Sequence, residues 1–263
     1  MILVTDGLIT RVCEVGAGDK MLTLITPERG RVGVMVKGSK SPNSKLSAIS
    51  QLFTYGNYEF YEKNGMFWLR GGEINKSFYD LTKNISMLSL ANYLCDIANE
   101  LTDVGMECEE ILRLTLNSLH ILIHELKSEI QVKAVYEMRA AMISGYLPEI
   151  FGCAYCHGLE EMNYLDVMGG KLICSSCLVK RGMKKVPISV NKDEDRQASV
   201  LCGLSPSAVT ALRYIVQAPD KKLFAFELKD EEDMRALSKA TEAYLLNHLG
   251  RGFDSLDFYK MIM

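Results

Sequence analysis

Four of the chain's eight cysteines stand in two Cys-x-x-Cys pairs, Cys153-Ala154-Tyr155-Cys156 and Cys174-Ser175-Ser176-Cys177, with seventeen residues between them. Two intervening residues let one tight turn present both thiolates to a single ion, and two such turns complete a tetrahedron of sulfur, the arrangement of a structural zinc site. Between the pairs, residues 162–167 and 171–173 flank Gly169-Gly170. That segment reads as a hairpin with a knuckle at each base, a zinc ribbon. One zinc ion per chain is expected. Four sulfur ligands leave no open coordination position for water, so such a site holds structure together and does no catalysis. Two alternatives stay open: four cysteines that are buried or redox-active without a shared ion, and His157 in place of one ligand. Cys13, Cys95, Cys108 and Cys202 lack ligand spacing and are expected in the core or on the surface.

The metal reading presumes a reducing compartment, where paired thiols favour metal over disulfides. The opening MILVTDG has no basic lead and no long apolar stretch, unlike a secretory signal. The most apolar stretch, near residues 114–126, is broken by Asn117, Ser118, His120 and His124, so no membrane span is expected. A cytoplasmic, soluble protein of one large or two modest domains fits 263 residues that are 48% hydrophobic and 24% charged.

The net charge of -3 argues against coating nucleic acid by bulk charge, but its distribution is uneven. Residues 1–80 hold ten Lys/Arg against eight Asp/Glu, residues 81–152 hold five against ten, and residues 153–263 hold fifteen against fifteen.

Periodicity divides the chain in the same place. Residues 7–15, 21–26, 31–36, 53–62 and 66–74 read as strands, the last two joined by Lys63-Asn64-Gly65, a strong hairpin turn. Five short strands suit a small closed barrel, with a short helix near residues 44–50. An SH3-like barrel would give nearly the same pattern. From Asn84 the period becomes helical, with Leu90, Leu94, Ile97 and Leu101 on one face. Further helices fit residues 109–126 and 129–144. After the cysteines, Ser205-Pro206 opens a helix to about Gln217, and a last helix runs from about Asp230 until Gly250 closes it.

Catalytic signatures are missing from the sequence. There is no phosphate-binding Gly-rich loop, no nucleophile elbow and no His-Glu-x-x-His helix. A zinc deaminase would need a catalytic Glu two positions after a His or Cys ligand, and no His-x-Glu tripeptide occurs, nor does such a Glu follow any of the four paired cysteines. His120 and His124 stand a helical turn apart without an acid between them and read as helix-face residues. The chain does not read as an enzyme.

Between Glu28 and Glu59 no acidic residue occurs, while Arg29, Arg31, Lys37, Lys40 and Lys45 all fall there. Residues 36–42 form a basic loop suited to tracking a phosphate backbone. Phe53, Tyr55, Tyr58, Phe60, Tyr61 and Trp68 are available for stacking on bases or for filling the barrel, and core filling is the expectation for most of them. Lys180, Arg181, Lys184 and Lys185 form a second basic cluster, either an extension of that surface or a solvated loop.

In this order the chain resembles the RecO family of bacterial recombination mediators. The resemblance rests on the opening T-D-G-L-I-T-R, the loop V-K-G-S-K-S, G-Y-L-P-E-I-F-G-C-A-Y-C-H and the closing Y-L-L-N-H-L-G-R-G-F-D-S-L-D-F-Y. It implies an α+β chain: an N-terminal five-stranded OB-fold barrel over residues 1–80, then an α-helical domain over 81–263 with the zinc ribbon inserted at about 150–180. It also implies binding of single- and double-stranded DNA, annealing of complementary strands without nucleotide hydrolysis, and cooperation with RecR. Together they would load recombinase onto strands coated by single-strand-binding protein, whose C-terminal tail is a further expected partner. By position in the barrel, the family's DNA surface falls on Arg29, Arg31, Lys37, Lys40 and Lys45. Some members lack the cysteines, so the metal would serve stability and not the activity itself. A zinc-ribbon scaffold in a transcription or translation complex is the competing expectation.

Overall fold

A computed structural model describes residues 2–16, 18–38, 46–159, 162–183 and 200–263. Its first five strands, β1 (Ile2–Val15), β2 (Asp19–Thr26), β3 (Gly30–Val36), β4 (Thr54–Lys63) and β5 (Met66–Ser77), close into a barrel in the order β1-β2-β3-β5-β4. Closure comes from two seams. β3 and β5 run parallel through Val34–Phe67 and Met35–Trp68, and β1 returns antiparallel along β4 from Ile2–Tyr61 to Leu8–Tyr55. A Greek-key barrel of five strands in this order is an OB-fold, which decides between the two barrel types.

β1 begins five residues before the alternation at residues 7–15 suggested. Its first half pairs with β4 and its second half with β2, and Leu8 belongs to both ladders. The first half escapes a periodicity reading because apolar residues stand on both faces, Leu3 against the core and Ile2 and Val4 outward. Ile2 is 54% exposed and Val4 57%. In β4 alternation and burial agree. Thr54, Gly56, Tyr58 and Phe60 point inward while Tyr55, Asn57 and Glu59 are half-buried. Ile9, Leu22, Leu24, Val34, Tyr58 and Phe60 anchor one continuous core, which Ile49 of the short α1 (Leu46–Ile49) completes. Each such side chain contributes about 1.5–3 kcal/mol by leaving water.

The turn between β2 and β3 is covered by chain from further on. Gly30 adopts φ +63°, and a Cβ there would collide with the carbonyl oxygen of Asp103. Cys108 N–H donates to Pro27 O at 2.8 Å, Gly105 N–H to Arg29 O at 2.8 Å, and Arg31 N–H to Asp103 O at 3.3 Å. This segment joins α2 (Ile85–Glu100) to α3 (Glu109–Ile123), which pack on β1 and β2 respectively. Asn84 caps α2 by accepting from Ser86 and Met87 N–H.

The chain packs as two compact units, Met1–Leu126 with Phe253–Met263, and Lys127–Gly252. The barrel therefore shares its unit with α2, α3 and a helix that periodicity missed, α8 (Asp254–Ile262). Phe253 meets Tyr93 of α2 edge to face at 5.7 Å, and Ser255 donates to Asp96 at 2.7 Å. The packing division differs from the expected one at residue 80 because these helices bury their apolar faces within the barrel's unit.

The second unit holds α4 (Glu129–Ile143), α6 (Pro206–Gln217) and α7 (Glu231–Leu249), capped at their N-termini by Ser128, Ser205 and Asp230. Gly250, left-handed at φ +67°, ends α7 as expected. Between α4 and α7, Lys133 Nζ lies 2.8 Å from Glu137 and 2.7 Å from Glu242, and Thr241 donates to Glu137 at 2.8 Å. Lys133 and Glu137 are buried. The same unit contains a three-stranded sheet of β6 (Met162–Asp166), β7 (Lys171–Cys174) and β8 (Leu201–Gly203), in the order β7-β6-β8. β6 and β7 form the hairpin expected around Gly169-Gly170. No helix among the described residues is long and apolar enough to cross a membrane.

Candidate metal centre and nucleic-acid interface

The two Cys-x-x-Cys turns meet at the base of the β6–β7 hairpin. Each is closed by the backbone around it. His157 N–H donates to Cys153 O at 2.9 Å, Cys153 N–H to Gly158 O at 2.9 Å, and Ala154 N–H to Leu172 O at 2.9 Å. The first turn is thereby pinned to β7. The second turn begins where β7 ends and α5 (Ser175–Lys180) starts, with Cys174 as its N-cap.

All four Sγ atoms lie within 4.8 Å of one another, and Cys156 and Cys174 Sγ are 3.8 Å apart. Sulfurs at the corners of a tetrahedron, about 2.3 Å from its centre, stand about 3.8 Å apart. Cys153, Cys156, Cys174 and Cys177 could thus hold one metal ion. They are the single group of three or more such side chains among the described residues. His157 is exposed and outside the group.

The backbone already favours anionic sulfur here. Cys174 N–H donates to Cys153 Sγ at 3.4 Å and Cys177 N–H to Cys174 Sγ at 3.3 Å. Burial raises the Cys153 pKa, but backbone N–H groups of Cys156, Cys174 and Tyr155 outweigh it and bring the thiol down to about 6. By contrast, the hydrogen bond with Cys174 pushes Cys177 up to about 12.

The remaining cysteines stand apart. Cys95, Cys108 and Cys202 are buried, and burial pushes the Cys108 and Cys202 thiols up to about 11. Cys108 is further occupied in donating to Thr26 O at 3.0 Å. Cys13 is exposed.

On the barrel, the predicted cations do not form one cluster. Arg31 begins β3 and Lys37 follows its end, so the six intervening steps of strand separate them by about 20 Å. Arg31 is also engaged, donating to Asn99 O at 2.8 Å and standing 3.9 Å from Asp103. Arg29 lies in the covered turn between β2 and β3, half-buried. Lys37 is exposed, with its ammonium 5.0 Å from the centre of the Trp68 ring. Lys40 and Lys45 lie outside the described residues, as do Lys184 and Lys185.

The aromatics divide cleanly. Phe53, Tyr58 and Phe60 are buried, and Tyr55 donates toward Asp6 at 3.5 Å. Tyr61 is exposed and Trp68 half-buried with its indole Nε1 covered, the two paired across β4 and β5 with ring planes 19° from parallel and centroids 6.5 Å apart. On the ribbon, Tyr155 has Arg181 at 3.6 Å and Lys171 at 5.5 Å from its ring centre. Sequence reasoning flagged Arg181 but had no means of bringing it to Tyr155.

Comparison with known proteins bears on the whole chain. Residues 1–78 match the family described as Recombination protein O N terminal, and residues 82–257 match Recombination protein O C terminal. The chain belongs to the RecO family. A RecO from Acetivibrio thermocellus, described as a DNA repair protein, is 27% identical over 261 residues, covering 99% of this chain and 97% of that one. The Bacillus pumilus RecO is 29% identical over 72% of this chain and 73% of its own length. For the Bacillus subtilis RecO the identity is 27%, over 68% and 70%. The N-terminal RecO match ends one residue after β5, so it coincides with the barrel, while the C-terminal match starts just before α2 and runs into α8.

Proposed function

We propose that this chain is a DNA-repair mediator that binds single- and double-stranded DNA and anneals complementary strands without catalysing a chemical reaction. With RecR it would load recombinase onto strands coated by single-strand-binding protein, whose C-terminal tail docks on the helical domain, residues 81–263. The observation that carries this reading is the match to both RecO domains on a chain whose first 77 residues close as an OB-fold. Barrels of that kind grip single strands with cations and aromatic rings, and Lys37 beside Trp68 supplies both. The work belongs in the cytoplasm, at the nucleoid.

The phosphate contacts proposed are Arg29, Arg31, Lys37, Lys40 and Lys45. A strand laid along β3 would pass both the Arg31 end and the Lys37 end of the barrel. Zinc is the ion proposed for the cysteine site, one per chain, because four thiolates at tetrahedral spacing select a soft, tetrahedral cation. Its part is to hold the ribbon folded.

Mixing complementary strands with the purified chain, with and without single-strand-binding protein and without ATP, tests the reading. A mediator speeds duplex formation in both cases. A ribbon scaffold of a transcription or translation complex leaves the rate at that of protein-free DNA, and that result would overturn the proposal.

A further inference from the structure

The outward face of the barrel carries an apolar row that its fold does not need. Ile2, Tyr61 and Trp68 are successive cross-strand partners on β1, β4 and β5, and the row ends against the buried Met35 of β3. Their inward neighbours Phe60 and Leu69 already fill the core, so the row adds nothing to it. Ile2 and Val4 are more than half exposed and Tyr61 is 36% exposed. Leaving such groups in water is costly, and a contiguous outward set marks a contact surface.

The charges around the row suit a polyanion. Lys37 stands over Trp68, and the stretch from residue 29 to 58 has no acid. Glu59, the acid on the neighbouring cross-strand row, is neutralised by Arg70 at 2.9 Å. An aromatic pair of shared orientation with a mobile lysine over one ring fits a nucleotide whose base is unpaired: the base takes the ring face, and the exposed Lys37 swings from it to the phosphate. A base inside a duplex cannot reach such a surface.

We infer that Tyr61 and Trp68 form a stacking platform for unpaired bases of single-stranded DNA, with Lys37 holding the adjoining phosphate. This rests on the DNA-binding reading above and names which face discriminates single strands from duplex. Trp68 is the chain's one tryptophan, so its emission reports directly on the platform.

The test titrates the full chain with three end-labelled DNAs of equal length: oligothymidylate, a strand of abasic sites, and a duplex. Trp68 emission and label anisotropy are followed together. Oligothymidylate should quench Trp68 and bind roughly five- to 150-fold more tightly than the abasic strand, the range set by stacking one base. Trp68→Ala should lose that same advantage, whereas Trp68→Phe, which keeps a ring, should retain it. If Trp68→Ala fails to fold, Tyr61→Ala and the parent chain's own emission still decide. Equal binding of the base-bearing and abasic strands without quenching overturns the platform and leaves DNA binding standing. Quenching by duplex as strong as by single strand also overturns it. Binding of none of the three removes the DNA reading itself, and the platform with it.

Discussion

The barrel and the ribbon solve the same problem with different materials. The barrel closes Leu22, Leu24, Val34, Tyr58 and Phe60 into one fully buried core, ringed by four antiparallel ladders and one short parallel seam. In the ribbon, the hairpin buries only Leu165, Val167, Leu172 and Ile173, and its two turns converge on four sulfurs. That apolar core is small, and even with β8 as a third strand the two cysteine turns lie at or beyond the ends of its ladders, held by a few backbone hydrogen bonds. The barrel should therefore fold on hydrophobic burial, while the ribbon should depend on the ion proposed for its four sulfurs. Within the second unit, too, charge substitutes for apolar surface, as the Lys133 contacts between α4 and α7 show.

Removing the metal is the strongest way to break that comparison. Structural zinc contributes on the order of 10–16 kcal/mol of folding free energy in small zinc domains. A chelator, or Cys174→Ser, should erase hydrogen-exchange protection between residues 153 and 180 while β2 and β4 keep theirs. Metal analysis of protein purified without chelators should return one zinc per chain. Protection unchanged in the ribbon after chelation, or no zinc at all, would show that the hairpin stands without a cation and dissolve the contrast.

Lys133→Met should come next in size. It leaves the buried Glu137 carboxylate beside Glu242 without the shared cation, a change that costs about 3–5 kcal/mol. The pH dependence has a fixed sign. Burial raises the Glu137 pKa above its ordinary 4.5, with the Lys133 charge as the chief opposing influence. A carboxyl whose folded pKa exceeds its unfolded one loses stability as pH rises from the unfolded value through the folded one. The deficit of Lys133→Met should therefore widen as pH rises from about 4.5 and shrink toward it, as read by denaturant unfolding across that range. A deficit constant with pH would mean that Glu137 is not the group left stranded.

How much of this was legible in the sequence follows from where the signals are local. The cysteine spacing foretold the gathering of four sulfurs because two tight turns are the whole geometry, and the β6–β7 hairpin followed from Gly169-Gly170. The buried faces of β2, β3 and β4 were legible because alternation and core coincide there. What escaped has its partner far away in sequence. The start of β1 shows apolar residues on both faces, so it carries no clear period. β8 has three residues, too few to carry a period, and is a strand only because β6 lies beside it. α8 is recognised by its return to Tyr93 and Asp96. The basic residues suffered most. Their clustering between residues 29 and 45 is a fact of sequence, but a strand carries Arg31 and Lys37 to opposite ends of the barrel.

That separation gives the smallest predicted effect and the sharpest one within the barrel. Every phosphate neutralised releases condensed counterions, so affinity falls linearly with salt on a log–log plot, and losing one contact lowers the slope by roughly 0.7–0.9. Lys37 is exposed and free of carboxylate partners among the described residues, so Lys37→Ala should remove one such unit with little change in stability. Arg31 already donates to Asn99 O and faces Asp103. To meet a phosphate it must surrender those bonds, so Arg31→Ala should change the slope less and the unfolding midpoint more. Lys221 and Lys222, in the second unit, serve as the control outside the barrel. Salt titrations of single-stranded DNA binding, paired with denaturant melts of each variant, separate the two behaviours. Should the lysine pair lower the slope as much as Lys37, or Arg31→Ala lower it by a full unit without touching stability, the phosphate path does not start at the Lys37 end of β3.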